Sequence, residues 1–231
     1  DIPIMIKNPV NPDIKLWLGA IERFNAVGIN RLVAIHRGFH YFEKTIFRNA
    51  PMWEIPIELK RIAPNLPVIV DSSHICGRRE LIESISQKAL DLDMDGLMIE
   101  CHFDPQNALT DAAQQITPDT LKKLLDKLVI RDVRGDVDFQ HKLEELRTEI
   151  DKLDGELLQI LAKRMEIIDE IGEYKKDNDI TILQMKRWAG IIKDRMSIGT
   201  NMGLDRIFMK KLLTLIHKES IQRQEAIFRK K

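Results

Sequence analysis

The sequence predicts an α/β unit followed by an all-α unit, and three observations carry that expectation. All nine prolines lie at or before Pro118, leaving the last 113 residues without one. Proline breaks helix interiors, so only the second half is free to form long helices. The first half alternates short apolar runs with helical stretches, the pattern of a parallel sheet covered by helices. From Leu143 onward the apolar residues instead follow a heptad. The change falls in "VIRDVRGDVDFQHK" (129–142), charged and holding one glycine, which reads as a linker and places the boundary between residues 1–130 and 131–231.

Totals narrow the class. Lys+Arg and Asp+Glu balance at 36 each, so no global field points to nucleic acid or an anionic membrane surface. No apolar run approaches the roughly 20 residues that span a bilayer, which argues against a membrane protein. The two cysteines, Cys76 and Cys101, form no disulfide framework, so a reduced cytoplasmic setting is expected. The start, "DIPIMIKNPV", lacks an initiator Met and any leader pattern, and points to a fragment or processed product.

Strands are expected in "IPIMIKN" (2–8), "RLVAIHRG" (31–38), "PVIVDSSH" (67–74) and "GLMIECH" (96–102), with helices in "DIKLWLGAIERFNAVG" and "GRRELIESISQKALDLD". In parallel α/β folds chemistry gathers at the carboxyl ends of the strands. Those ends are Lys7, Arg37, Asp71 with His74, and Glu100 with His102. Each residue alone is an ordinary surface group, but four successive strands ending this way favour a site. Lys7 and Arg37 supply charge for a phosphorylated, carboxylated substrate. His74, Glu100 and Asp111 form a mixed nitrogen and oxygen set suited to Mn, Fe, Co or Zn. Cys101 follows Glu100 directly and is expected to face the opposite way, into core. "GRRE" (77–80) fits a phosphate loop or a solvated helix start equally well. Four strands cannot close a barrel.

The strand-end motifs "IMIKNP", "IHRGF", "VDSSH" with the following "GRR", and "MIECHFDPQNALTDAAQQ" resemble the second half of 3-deoxy-D-arabino-heptulosonate-7-phosphate (DAHP) synthase over residues 2 to about 128. That resemblance implies the C-terminal half of a (βα)8 barrel that joins phosphoenolpyruvate to erythrose 4-phosphate. It implies that Lys7 and Arg37 contact phosphoenolpyruvate and that His74, Glu100 and Asp111 bind the metal. The family's further metal-ligating cysteine and its Lys-Pro-Arg stretch belong to the first half of the barrel, and neither occurs here. No synthase activity is therefore expected of this chain alone.

In the second half the heptad runs Leu143, Leu146, Ile150, Leu153, Leu157, Ile160, Ile167, Ile171 and Tyr174, which predicts one helix of about 35 residues that packs along others. Arg164 interrupts it, and a guanidinium at a core position needs a partner or a ligand. Lys175 lies 11 residues on, about 20° round the helix and about 16 Å along it, so both cations are placed to lean into one cavity. Arg147 is turned about 100° away and is better placed to serve a partner subunit. The last helix runs Phe208, Leu212, Ile216, turns polar at Ser220 and Gln224, and returns to Phe228. Between them, "ITILQMKRWAGIIKDRM" turns Ile182, Met185, Trp188 and Ile192 to one side, with Arg187 alongside and Gly199 as the expected terminator. Each cation read alone is a solvated helix face; two interrupted core stripes together describe a cationic pocket fit for a dicarboxylate.

The stretch "LEELRTEIDKLDGELLQILAKRMEIIDEIGEYK", the "KRW" segment and "ESIQRQ" resemble the all-helical chorismate mutases over about 138–228. The resemblance implies a three-helix domain that dimerises and rearranges chorismate to prephenate with no cofactor. Arg147 then serves the neighbouring protomer, Arg164 and Arg187 hold carboxylates beside Ser220, and Lys175 and Gln224 donate to the ether oxygen. Gln184 and Trp188 stand where the family's bacterial pattern has an aspartate and a hydroxyl-binding glutamate. Glutamine donates without prior protonation, so activity at neutral pH is expected. A non-catalytic chorismate or prephenate sensor and dimeriser is one rival reading, and an isochorismate pyruvate-lyase is another.

Overall fold

The computed structural model describes residues 2–131 and 135–229, so residues 132–134 of the expected linker lie outside the described residues. The chain divides into two compact units, residues 1–135 and 136–231.

The first unit is a single four-stranded parallel sheet in the order β1 (Ile4–Lys7), β2 (Leu32–His36), β3 (Val68–Asp71), β4 (Gly96–Met98). Sequential parallel order requires a crossover after every strand. Helices α1 (Ile14–Ala26), α2 (Glu54–Ile62), the one-turn α3 (Ser72–Cys76), α4 (Ile82–Asp91) and α5 (Pro118–Lys127) complete it. Local chemistry sets the helix starts: the Asp13 side chain accepts from the Lys15 amide, and the Thr117 hydroxyl accepts from the Thr120 amide just before Pro118. Trp17, Phe39, Leu59, Val68, Val70, Ile75 and Ile82 are fully buried between sheet and helices. His36 is buried among them, with its ring 5.4–6.4 Å from those of Trp17, Phe39 and Trp53. Burial with little polar compensation lowers its pKa from 6.5 to about 4, so it is neutral.

The strands stop sooner than the sequence suggests. β3 ends at Asp71 because its carboxylate caps α3 by accepting from the His74 amide, so His74 stands on a helical turn. Gly77 closes that turn at φ +66, where an added Cβ would come within 2.5 Å of Arg48 Cβ. β4 ends at Met98, and Cys101 makes only an isolated bridge with Ile116. Beyond the sheet the alternation of faces no longer buries a side chain, and Cys101 is exposed, not core as the alternation argued. Cys76 is the buried one, its thiol pushed up to about 12 by desolvation.

The segment after α5 is fastened to α4. Lys127 pairs with Glu83 at 3.0 Å and Arg131 with Asp91 at 2.8 Å. Between them the Gln87 amide donates to the Val129 carbonyl at 2.9 Å and accepts from the Val129 amide at 2.8 Å.

The second unit consists of α6 (Val137–Asp177), α7 (Met185–Asn201) and α8 (Arg206–Arg229). α8 packs against both α6 and α7. α6 is the expected long helix, at 41 residues. It has two apolar faces, and the heptad stripe is not the packed one. Leu146, Ile150, Leu153, Leu157, Ile160, Ile167, Ile171 and Tyr174 are each at least 40% exposed. The face covered within the chain includes Leu161, Arg164, Met165, Ile168 and the buried Gly172. Gly199 does not end α7 but lies inside it, buried where an added Cβ would meet the Met209 side chain; Gly203, at φ +86, follows the helix end.

Candidate functional site

Two clusters of chemistry-bearing residues stand out, one in each unit. In the α/β unit the strand ends build a charged site from the bottom up. Asp71 is fully buried at the end of β3, with Lys7 Nζ and His74 Nδ1 at 2.9 and 2.8 Å from the same Oδ2. The Nδ1–Oδ2 approach is close, but its angle does not make a hydrogen bond, and Nε2 is the ring nitrogen that faces the two acids. His74 Nε2 lies 3.7 Å from Glu100 Oε1 and 3.9 Å from Asp111 Oδ2, and one donor atom from each residue falls within 4.8 Å of the others. Ligands at about 2.0–2.2 Å from a common ion stand roughly 3–4 Å apart. The three residues expected as ligands are therefore gathered at a spacing that fits a divalent cation.

A hydrogen-bond chain holds the two acids in place. Gln114, 1% exposed, donates to Glu100 Oε2 at 2.7 Å and accepts from Arg48 Nη1 at 2.8 Å. The same Nη1 reaches Asp111 Oδ1 at 2.7 Å. Arg48 holds the Asp111 carboxyl below the usual carboxylate range, keeping it ionised. Asp111 sits at φ +50, a left-handed conformation that side chains seldom adopt, so its placement is imposed by its surroundings. At the end of β2, Asn8 Oδ1 accepts from the Arg37 amide at 2.6 Å while Asn8 Nδ2 donates to the Gly38 carbonyl. Among the described residues Arg37 Nε is buried with no partner, an unspent donor at the edge of the site. "GRRE" lies at a helix start, the second of its two expected settings: Arg78 and Glu80 are exposed where the turn Arg79–Leu81 leads into α4, and Arg78 and Arg79 donate to the Ile46 and Ala112 carbonyls.

In the helical unit, the polar lapse in the last helix falls on its buried face. Ser220 is 3% and Gln224 5% exposed, whereas Phe208 is 52% exposed. Arg164 Nη1 donates to Ser220 Oγ at 2.8 Å, and that hydroxyl donates to the Ile216 carbonyl at 2.7 Å. Gln224 Nε2 is spent on the Ser220 carbonyl at 3.1 Å, which leaves Gln224 Oε1 buried with no partner among the described residues. Lys175 Nζ donates to the Ile182 carbonyl at 2.5 Å and lines a cleft of about 590 Å³ with Ile167, Glu170, Tyr174 and Gln184. Desolvation lowers the pKa of both Lys175 and Arg164.

The expected residues are thus only partly assembled. Arg164, Ser220 and Gln224 meet directly, and Lys175 and Gln184 share a cleft that Arg164 does not line. Arg187 is exposed on the first turn of α7, and Arg147 is exposed with Glu144 at 3.6 Å. Trp188 stacks on His217, ring centroids 3.6 Å apart and 7° from parallel. His217 was not foreseen. It precedes Ser220 and Gln224 at i, i+3, i+7, the spacing of one helix face, and burial and Arg164 lower its pKa.

Residues 1–133 match the model of the DAHP synthetase I family, and residues 146–225 match that of chorismate mutase type II. A 4-amino-4-deoxychorismate mutase of Streptomyces venezuelae is 30% identical over 89 residues, 38% of this chain and 85% of that protein. The chain belongs to both families. Its first segment is 29% identical over 126 residues to phospho-2-dehydro-3-deoxyheptonate aldolase of Thermotoga maritima, 54% of this chain and 37% of that enzyme. The solved Thermotoga maritima DAHP synthase gives 29% identity and a TM-score of 0.49, covering 55% of this chain and 37% of the other. The chain thus spans well under half the length of the synthase relatives it matches. The type II mutase segment and the DAHP synthetase segment are joined in one polypeptide.

Proposed function

We propose that the helical unit rearranges chorismate to prephenate and that the α/β unit is the phosphoenolpyruvate- and metal-binding half of a DAHP synthase, within aromatic amino-acid synthesis. The observation that carries the mutase reading is Arg164 bonded to Ser220 beside a buried glutamine with an unspent polar atom. Arg164 and Arg187 hold the two carboxylates and impose the folded, reactive geometry. The breaking C–O bond gathers negative charge on oxygen. Lys175 and Gln224 then exchange their carbonyl partners for that oxygen, supplying the donors that lower the barrier. No nucleophile and no cofactor takes part. Arg147 completes the pocket of a second protomer in a homodimer, whose contact is the exposed heptad stripe of α6.

In the other unit Lys7 and Arg37 hold phosphoenolpyruvate through its phosphate and carboxylate. His74, Glu100 and Asp111 hold a divalent metal, Mn, Fe, Co or Zn, which when bound polarises a carbonyl as a Lewis acid. Asp71 orients His74 and Lys7 together, and Gln114 fixes Glu100. Condensation with erythrose 4-phosphate belongs to the whole synthase and is not expected of this chain alone. Two unpaired cysteines suit a cytoplasmic protein.

The test is loss of chorismate absorbance on adding purified chain. Turnover at neutral pH that vanishes in Arg164→Ala is the expected result. Chorismate or prephenate raising the melting temperature without turnover would overturn it in favour of a sensor, and pyruvate release from isochorismate in favour of a lyase.

A further inference from the structure

Glycine weakens a helix interior relative to alanine, so a buried glycine inside α6 needs a reason. The helical glycines differ sharply in their surroundings. Gly155 on the same helix and Gly190 on α7 have open space where a Cβ would point. Gly172 does not: a Cβ there would stand 2.8 Å from Ile227 Cδ1, 3.2 Å from Gln224 Cγ and 3.6 Å from Gln224 Cα. Gln224 is the residue of α8 whose side chain is buried beside Ser220 with Oε1 unsatisfied. Gly172 also lies on α6 between Arg164 and Lys175, the two cations of that helix to which the mutase reading gives roles. One turn earlier the Asp169 carboxylate takes both Nε and Nη2 of Arg223, the residue next to Gln224. The α6–α8 crossing is thus held by a fork at one level and lets α8 come close at the next.

We infer that Gly172 is a positioning residue for the mutase reaction: its missing side chain leaves room on α6 for the Gln224 side chain of α8 to take the place from which its amide reaches the reacting oxygen. The inference rests on the mutase reading. A methyl group at 172 meets Ile227 Cδ1 and Gln224 Cγ, and Gln224 must give by a few tenths of an ångström; since a misplacement of about 1 Å costs about a hundredfold in rate, this smaller one costs about five- to tenfold. Substrate is still gripped by the arginines, so affinity is spared.

The experiment compares Gly172→Ala, Ile227→Val and the double variant in the full chain. The readouts are kcat and KM for chorismate, melting temperature, and the Gln224 side-chain amide resonance, assigned by its loss in Gln224→Glu. The expected result for Gly172→Ala is a kcat down about five- to tenfold, KM within about twofold, an undiminished melting temperature and a shifted Gln224 resonance. Removing the Ile227 methyl that lies nearest should restore most of the turnover and move the resonance back. A merely structural glycine would lower the melting temperature and leave kcat of the folded protein alone, which would overturn the inference, as would an unmoved resonance. Should Gly172→Ala fail to fold, the double variant decides: a wild-type resonance and turnover support the inference, and a displaced or unfolded state refutes it. If the parent chain turns over no chorismate, the mutase reading fails, while the resonance still decides whether residue 172 places Gln224.

Discussion

The α/β site is short of positive charge at its centre, whereas the helical pocket satisfies its donors with its own backbone. Three ligand-type side chains converge in the first, and Glu100 and Asp111 lie close enough to repel one another. Gln114 and Arg48 hold the carboxylates in that uncomfortable spacing from outside. In the second, Lys175 and Gln224 donate to main-chain carbonyls and Arg164 to a hydroxyl. On the function proposed above, an ion completes the first site, and in the second a substrate takes over existing hydrogen bonds, which leaves it poised rather than strained.

The largest expected effect tests the exchange. Arg164→Ala should lower kcat/KM about a hundredfold to a thousandfold, read by chorismate absorbance, because the lost donor also leaves Ser220 Oγ without that partner. A change under about threefold would break the contrast, since the pocket would then not depend on its half-buried cation.

His36 sharpens it from the other side, because it is buried and neutral with no such exchange open to it. The unfolded chain takes up a proton near 6.5, but the folded chain resists until about 4. A lowered pKa on a base means that stability is complete above 6.5 and falls as pH drops towards 4, by up to about 3 kcal/mol. His36→Phe should flatten that part of the pH–stability curve, measured by urea unfolding. An unchanged slope would exclude His36 as its source.

Metal addition probes the charge deficit directly. A cation at a hundred times its Kd should stabilise the α/β unit by about 2.7 kcal/mol, seen as a raised melting transition. The gain should disappear in His74→Ala and leave any transition of the helical unit unmoved. A gain that survives that substitution would place the ion elsewhere.

Gly199 gives the smallest effect. An added methyl first meets Met209, whose Cε and Sδ lie 2.6 and 2.8 Å away at the far end of a flexible chain. Gly199→Ala also gains helix propensity, so its net effect on thermal stability should stay within about 1 kcal/mol. A larger loss would show that the α7–α8 contact is as unyielding as the one at Gly172.

Much of this was legible in the residues. The proline divide and the strand–helix alternation gave the two structural classes, and the strand ends located Lys7, Arg37, His74 and Glu100 because a parallel sheet presents them together. What escaped was whatever local periodicity does not encode. Arg48 and Gln114 lie outside the strands, and nothing in their spacing marks them as holding Asp111 and Glu100. The heptad located a real apolar face on α6 but could not say that α8 would choose the other one, where Arg164, Asp169 and Gly172 meet it. Gly199 read as a terminator because glycine often ends helices; close contact with Met209 is the competing reason, and it depends on a neighbour 10 residues away along the chain.

The fastening of residues 127–131 along α4 has a mechanical meaning. A pull on the polypeptide beyond Arg131 does not reach the sheet through α5 alone. It is first resisted by Arg131 on Asp91, then by the two-way grip of Gln87 on the Val129 backbone, then by Lys127 on Glu83. These anchors lie one helical turn apart and would yield in turn, like a seam opened from one end. Tension arriving from that side is spent on surface contacts of α4 before it can disturb the strand ends where the acids and His74 are gathered.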